Sequence, residues 1–358
     1  MIRHSSSHVI ANDFSYISQL AEKNFVGRGE LCDKFSSELA HRFRRSKCLL
    51  TRSGATSIEI GLHVLRMREP GANEVVLSGY ICPTVVSAVV REGLKPIFVD
   101  VQKHSMNIDS VAAGRVVSKK TLALVMTHIG GCSDPIDDLL SLNIPLISDC
   151  AQALGATWRG KELTAYGDFS ITSFGPTKFM TAGSGGALFA DKDFFYCAQR
   201  HSQQELEVSD YESSGFTATH GQSFSDLAAG LGLSQLERFN LMLERRRYIA
   251  NRYTAILESC PDIQMPVCCD EGVSNNYRYY FFSSSATGWI RHLQKHNIDA
   301  RSSFSHCMAD YFPNISDMPN LKKNVTQLIS LPIHMALTNI DVAHIEDAIE
   351  QGFSSGLQ

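Results

Sequence analysis

Residues 145–156 read PLISDCAQALGA, and residues 169–190 read FSITSFGPTKFMTAGSGGALFA. In both stretches a short apolar run ends at small and polar residues, which is typical of a buried strand that stops at a turn. The first run brings Asp149 to its carboxyl end, and the second leads into a turn that contains Lys178 and is followed by glycines. Ligands of open α/β sheets bind outside the carboxyl ends of the strands, so both side chains are candidates for a ligand site.

The same alternation covers the chain from about residue 47 to residue 190. Short apolar runs separated by helix-like segments follow one another there: CLL, VVLS, PIFVDV, LALVM, PLIS, FSITSF and ALFA. This βαβ rhythm predicts a mainly parallel sheet covered by helices. Helix-like residues precede it at 12–46 and follow it at 223–257.

The C-terminal part has a different pattern, with one strand candidate, YRYYFFSSS, and two helix candidates after it. We therefore predict an α/β protein of two domains. The large domain would cover residues 1–245 and carry helices on both faces of its sheet. A smaller α+β domain would cover residues 246–358.

Composition limits the classes of function. The 358 residues are 44% hydrophobic and 20% charged, close to the average of soluble globular proteins. A formal net charge of -4 provides no strong field for nucleic acid or for an anionic membrane, so neither is expected as a partner. The ten cysteines are scattered without a zinc-site spacing, so we expect reduced thiols and no metal site. No secretion signal or membrane span is recognisable, which predicts a soluble cytoplasmic protein.

A further candidate feature is SGATSIEIGLHVL, residues 53–65, which reads as a turn running into an amphipathic helix. Small residues at a helix N-terminus let backbone N–H groups face a phosphate, and the helix dipole adds attraction. The alternative is an ordinary helix cap by Ser53 or Thr56, which is the commoner use of such residues.

Asp149 and Lys178 also have two interpretations each. A carboxylate at a strand end can pair with a protonated pyridine nitrogen and make the ring an electron sink. A lysine amine held away from water can form an imine with an aldehyde. The alternatives are a helix N-cap for Asp149 and a solvated side chain for Lys178.

Taken together, these stretches resemble the DegT/DnrJ/EryC1/StrS family of pyridoxal phosphate aminotransferases, which act on nucleotide-linked keto-sugars. SGATSIEIGL resembles the family's phosphate turn, and residues 148–188 resemble its cofactor-binding block without a gap. GLKPIFVDVQKHSMNID, THIGGCSDPID and SLPIHMALTNIDVAHIEDAI are similar to further family motifs and extend the likeness over nearly the whole chain. The resemblance implies fold type I, the cofactor pyridoxal 5'-phosphate, and a homodimer with a shared active site.

Position by position, the resemblance implies that Lys178 carries the cofactor as a Schiff base and moves a proton between the substrate carbon and the cofactor. Asp149 is the second catalytic residue and pairs with the pyridine nitrogen. The other implied contacts are Gln152 beside the phenolic oxygen, Ser173 with the turn Gly54, Ala55 and Thr56 at the phosphate, Cys82 on the ring face, and His128 and His306 bordering the substrate.

Several positions depart from the family pattern. Ala55 replaces the usual threonine, which leaves Thr56 as a substitute hydroxyl, and Cys82 replaces an aromatic ring. THGQSFSDL stands where the family has an asparagine and an arginine that reach the neighbouring subunit's phosphate site, so Gln222 or Ser223 would have to serve there. The N-terminal proline-containing strand has no recognisable counterpart in MIRHSSSHVI.

The resemblance predicts transfer of an amino group from glutamate or glutamine to a keto-sugar. A cyclitol ketone is an alternative acceptor, since nothing in the chain reads a nucleotide. Dehydration of a deoxysugar is a second reaction on this fold, but its members replace the anchoring lysine by histidine, and Lys178 is present here. A non-catalytic sensor or partner protein is a third alternative, which the joint presence of Asp149, Gln152, Ser173 and Lys178 disfavours.

Overall fold

The computed structural model describes residues 1–23, 27–202, 224–269, 271–308, 311 and 318–354. The strands in these ranges are β1 (Lys47–Thr51), β2 (Glu74–Ser78), β3 (Tyr80–Ile81), β4 (Lys95–Val99), β5 (Thr121–Met126), β6 (Leu146–Asp149), β7 (Thr157–Trp158), β8 (Lys161–Glu162), β9 (Phe169–Ser173), β10 (Gly186–Ala190), β11 (Gly272–Val273), β12 (Tyr279–Phe282), β13 (His306–Cys307) and β14 (Leu328–Leu331).

The helices of the same ranges, without short 3-10 turns, are α1 (Ser15–Lys23), α2 (Glu30–Arg42), α3 (Gly54–Arg68), α4 (Pro83–Arg91), α5 (Ser110–Val116), α6 (Ile136–Leu140), α7 (Lys192–Ser202), α8 (Asp226–Glu237), α9 (Phe239–Leu257), α10 (Ala286–Lys295), α11 (Pro319–Gln327) and α12 (Asn339–Ser354). Ser53, Asp109 and Ser225 cap α3, α5 and α8, since each side chain accepts a hydrogen bond from a backbone N–H three residues later.

A seven-stranded sheet forms the centre of the large domain, in the order β1-β10-β9-β6-β5-β2-β4. The pairs from β9 to β4 are parallel, and β10 is antiparallel to both of its neighbours. Strands β5 and β10 are buried along their whole length, as expected for a sheet covered on both faces. The predicted apolar runs are confirmed as these strands, and so is the mainly parallel sheet.

The smaller domain packs helices on the antiparallel pair β12 and β14. Its core includes Phe281 of β12, Trp289 of α10 and Ile345 of α12. Helix α9 runs without interruption through the predicted boundary at residue 245. Its first part contributes Phe239 to a core cluster of the large domain, whereas Ile249 and the residues after it pack in the small-domain core. The boundary near residue 245 stays a prediction, supported by this change of packing partner.

Two of the ten cysteines are not free thiols. Cys132, in the loop after β5, and Cys268, before β11, form a disulfide with a Cα–Cα distance of 5.5 Å. The expectation of uniformly reduced cysteines is therefore wrong for this pair, which no short sequence spacing could reveal because 136 positions separate the two residues. None of the described helices is long and apolar enough to span a bilayer.

Candidate active site

Lys178 lies in the loop that joins the antiparallel strands β9 and β10. Phe174 closes the base of this loop, since its N–H donates to Gly185 O at 2.9 Å and its carbonyl accepts from Ala182 N–H at 3.1 Å. The neighbour Phe179 is buried in the core, while Lys178 itself is half-buried. The packed neighbour and the closed loop hold the lysine amine at the carboxyl edge of the sheet.

Asp149 is the last residue of β6, the strand beside β9. Its side chain is 7% exposed, and its Oδ1 accepts a hydrogen bond from Ala151 N–H at 2.9 Å. Burial raises the pKa of Asp149, although the Ala151 hydrogen bond and the charge of Lys178 act in the opposite direction. A carboxylate in this position gains from a cationic N–H partner, which a protonated pyridine nitrogen provides. The site therefore fits pyridoxal phosphate.

The predicted phosphate residues meet at the start of α3. A Cβ at Gly54 would lie 3.1 Å from Ser173 Cβ, so the helix start packs directly against the end of β9. The Ser53 hydroxyl accepts from Thr56 N–H at 3.1 Å and lies 2.9 Å from the Thr56 hydroxyl. Thr56 is 2% exposed, so this geometry does not support a substitute phosphate hydroxyl there. The backbone N–H groups of Gly54 and half-buried Ala55, together with the Ser173 hydroxyl, are the better donors.

Gln152 and His128 lie at the ends of β6 and β5. Gln152 Oε1 accepts from Gly130 N–H at 2.9 Å, which orients the amide beside the Asp149 turn. His128 is completely buried, and its Nδ1 accepts from Asp134 N–H at 3.0 Å while its Nε2 lies 2.9 Å from Ser148 Oγ. Because both ring nitrogens have partners inside the protein, the structure does not support the prediction that His128 contacts substrate.

Residues 275–278, which precede β12, complete the site and were not selected from the sequence. Asn275 Nδ2 donates to the carbonyls of Gln152 and Leu154 at 3.1 and 2.9 Å. The Tyr277 hydroxyl donates to Thr177 O at 3.3 Å, and Lys178 Nζ lies 5.8 Å from the centre of the Tyr277 ring. This segment therefore links the Asp149 turn to the Lys178 loop. The sequence predicts only an aromatic strand here, because contacts between distant parts of the chain leave no pattern in the local sequence.

Positive charge collects around Tyr277. The guanidinium carbon of Arg278 lies 4.6 Å from the centre of the Tyr277 ring, and that of Arg246 lies 5.9 Å from it. Burial alone would raise the pKa of Tyr277, but the charges of Lys178, Arg278 and Arg246 outweigh burial and lower it. The site thus places several cations opposite the carboxylate of Asp149.

The N-terminal segment also reaches the Lys178 loop. Ile2 forms a parallel bridge with Ile298 of the small domain, and His4 Nε2 lies 2.8 Å from Ser330 Oγ. Further along, the Ser7 hydroxyl donates to the carbonyl of Pro176. The N-terminal segment therefore contacts both the small domain and the Lys178 loop, although its sequence has no recognisable family pattern.

Cys82 directly follows β3, and His306 lies in β13, the strand that pairs with β3. Cys82 is the N-cap of α4, and its Sγ lies 3.1 Å from Thr84 Oγ1. His306 pairs with Ile81 in the β13–β3 ladder, is exposed, and lines a cavity of about 470 Å³ with Tyr80. Their roles at the cofactor ring and the substrate stay predictions. Gln222 and Ser223 lie outside the described residues.

Asp149 at the end of β6 and Lys178 in the loop after β9 both lie at the carboxyl edge of a seven-stranded α/β sheet, which places the chain in the fold type I class of pyridoxal phosphate enzymes. Residues 8–350 match the family model described as the DegT/DnrJ/EryC1/StrS aminotransferase family, and the chain belongs to this family. The predicted family, fold class, aminotransferase activity and cofactor are thereby confirmed.

Individual relatives are distant but extend over most of the chain. The spore coat polysaccharide biosynthesis protein SpsC of Bacillus subtilis is 23% identical over 93% of this chain and 92% of its own length. A GDP-perosamine synthase of Vibrio cholerae is 26% identical over 70% of this chain and 69% of its own. The crystal structure of the sugar aminotransferase CalS13 from Micromonospora echinospora superposes with a TM-score of 0.88 at 21% identity, covering 98% of this chain and 100% of that one. In the part of the chain that the structure describes, no group of three or more acidic, histidine or cysteine side chains could hold a metal ion.

Proposed function

We propose that this aminotransferase moves the amino group of glutamate or glutamine onto a keto-sugar linked to a nucleotide. The observation that carries the proposal is that buried Asp149, at the end of β6, and half-buried Lys178, in the loop after the neighbouring strand β9, share the carboxyl edge of the sheet. The acceptor class is supported by the relatives, since one is a GDP-perosamine synthase and another is a sugar aminotransferase.

Each residue of the site has a distinct task in this reaction. When bound, pyridoxal phosphate supplies an electron sink that lets a proton leave and return at the carbon that carries the amino group. Asp149 places negative charge against the ring nitrogen, and Ala151 N–H holds that carboxylate in position. The Lys178 amine takes up and returns the proton at Nζ, because it is the basic group that the loop aims at this edge of the sheet. The start of α3 and the Ser173 hydroxyl hold the phosphate.

A spectroscopic experiment tests the proposal. Purified protein should take up pyridoxal phosphate, borohydride reduction should fix it to the peptide containing Lys178, and glutamate or glutamine should remove the visible absorbance in a single turnover. A nucleotide-linked keto-sugar should then restore it. Lys178→Ala should lower the rate of amino transfer by roughly 10²- to 10⁴-fold or more, because general acid–base catalysis usually contributes a factor in that range.

The control is Lys192→Ala, which removes an exposed lysine at the start of α7. It should leave cofactor uptake and both half-reactions unchanged. Attachment of the cofactor at another lysine, or full turnover by Lys178→Ala, would contradict the assignment.

The homodimer and the cytoplasmic location also remain proposals. The resemblance supports the homodimer through the phosphate site shared between subunits, and light scattering of the purified protein measures it directly. The Cys132–Cys268 disulfide weighs against a reducing compartment, since disulfides are rare in the cytosol.

A further inference from the structure

Arg278 is a cation without an anionic partner in the part of the chain that the structure describes. Its side chain is only partly exposed, and its Nε is buried without a hydrogen-bond partner. Its NH2 group makes one long contact, 3.4 Å, with the Tyr277 hydroxyl. A half-buried guanidinium normally satisfies several of its five N–H donors, so Arg278 has donor capacity left for a ligand.

Several of the described groups near Arg278 are basic or phenolic. Its charge lowers the pKa values of His4, His334 and Arg246 in addition to the burial of those groups, and it lowers the pKa of Tyr277 against the effect of burial. His4, His334 and Arg246 cannot neutralise a guanidinium, because histidine and arginine side chains carry no negative charge. The local field therefore favours an anion.

Hydrogen bonds place Arg278 between the two catalytic residues. Its own N–H donates to Gly130 O at 3.1 Å, and Gly130 N–H donates to Gln152 Oε1 at 2.9 Å, next to the Asp149 turn. On the other side, the Tyr277 hydroxyl that Arg278 contacts donates to Thr177 O, the residue before Lys178. The guanidinium carbon of Arg278 and Lys178 Nζ both lie near the Tyr277 ring, at 4.6 and 5.8 Å from its centre.

We propose that Arg278 binds the α-carboxylate of the amino-acid donor. This inference rests on the proposed function and names the group that recognises one of its two substrates. The donor carboxylate is one bond from the carbon whose proton Lys178 moves, so its receptor must lie close to the lysine. The phosphates of a sugar nucleotide are several bonds from a ring ketone and would need a cation further out. A planar guanidinium also matches a carboxylate with two parallel hydrogen bonds.

The test uses the cofactor-loaded protein and glutarate, a dicarboxylate that has no amine and cannot react. Isothermal titration calorimetry measures its Kd, and stopped-flow absorbance measures the glutamate concentration that gives half-maximal conversion. Arg278→Gln should raise both about ten- to a hundredfold, the range expected for a lost charge-assisted hydrogen-bond pair. The half-saturating concentration of the keto-sugar in the second half-reaction should change less than twofold.

Two further variants complete the design. Arg291→Gln removes an exposed arginine of α10 and should leave every constant unchanged. Arg278→Lys keeps the charge but loses the planar pair of donors, so it should weaken glutarate binding by an intermediate factor. If Arg278→Gln fails to fold or to take up cofactor, Arg278→Lys provides the test.

An unchanged glutarate Kd in both Arg278 variants would overturn the inference and leave the proposed transamination intact. A higher half-saturating concentration for the keto-sugar alone would also overturn it, because Arg278 would then recognise the sugar nucleotide. Glutarate binding needs no turnover, so it tests Arg278 separately from the reaction. The proposed function would instead be refuted if the wild-type protein reacted with no amino acid.

Discussion

Gly131→Ala should uncouple the loop after β5 from the segment that carries Tyr277 and Arg278. Gly131 has a φ of +96°, and a Cβ added there would lie 1.9 Å from Asn275 Oδ1. Asn275 cannot retreat without loss, because it is completely buried and its amide is bonded to the carbonyls of Gln152 and Leu154. Its Oδ1 also accepts from Tyr277 N–H at 2.9 Å.

The magnitude follows from two contributions. An L-residue forced to positive φ costs about 1–2 kcal/mol. Displacing Asn275 removes the three hydrogen bonds just described, each with a net value of about 1 kcal/mol, so Gly131→Ala should lose about 4–5 kcal/mol of unfolding free energy. Gly160→Ala is the matched control, because Gly160 has a φ of +70° and no atom within 4 Å of an added Cβ. It should lose only the first contribution, about 1–2 kcal/mol.

Urea unfolding followed by circular dichroism measures both variants against the wild type, with the same denaturant slope required of all three. Gly131→Ala should also bind pyridoxal phosphate more weakly, whereas Gly160→Ala, in the turn between β7 and β8, should bind it normally. Equal stability losses in the two variants would refute the view that Asn275 fixes the Tyr277 segment to the Asp149 turn.

Two further predictions concern stability. Burial lowers the pKa of His4 from 6.5 to about 3, and the charge of Arg278 adds to this effect. The stability linked to the neutral form of His4 is therefore complete above pH 6.5 and is lost as the pH falls toward 3. Between pH 7.5 and 5.0 the wild type should lose ~2 kcal/mol more unfolding free energy than His4→Gln, and parallel urea curves for the two proteins would disprove this. Asp13→Ala should lower the unfolding free energy measured in urea by about 3–5 kcal/mol. The substitution removes the fully buried carboxylate that Arg238 contacts at 2.7 Å and leaves this arginine without its anionic partner. The exposed Asp33→Ala should change stability by less than about 1 kcal/mol, and a similar loss in both aspartate variants would contradict the burial argument.

The sheet and its catalytic edge could be predicted from the sequence because both depend on local patterns. Each apolar run is bounded by a turn, and Asp149 and Lys178 follow directly after such runs. The antiparallel direction of β10 has no such signal, since an apolar strand looks the same in either direction. It is nevertheless decisive for the site, because it makes the Lys178 segment a loop between neighbouring strands.

The contacts that shape the site could not be predicted because they join distant parts of the chain. Asn275 reaches Gln152 across 123 positions, and Tyr277 reaches Thr177 across 100. His128 shows the same difficulty, since a histidine beside a ligand-binding edge suggests substrate contact. Its side chain instead points inward to Ser148. Whether a polar side chain faces a ligand or the core depends on backbone direction at that residue, and His128 has a φ of +43°.

The charges of the site explain how a protein with a net charge of -4 could attract a phosphate cofactor and the anionic substrates proposed above. Interactions between exposed charges fade over about 8–10 Å in physiological salt, so a ligand at this edge experiences its immediate neighbours rather than the whole chain. Those neighbours are the cations Lys178, Arg246 and Arg278 on the Tyr277 side and Asp149 on the sheet side. The separation has a chemical consequence: anionic groups are attracted toward the Tyr277 side, while the carboxylate is left to face the ring nitrogen. A further carboxylate near Tyr277 would neutralise Arg278 and cancel this separation of charge. Within the described residues Arg278 has no ion pair and its Nε has no hydrogen-bond partner, which supports the proposed orientation of the donor carboxylate.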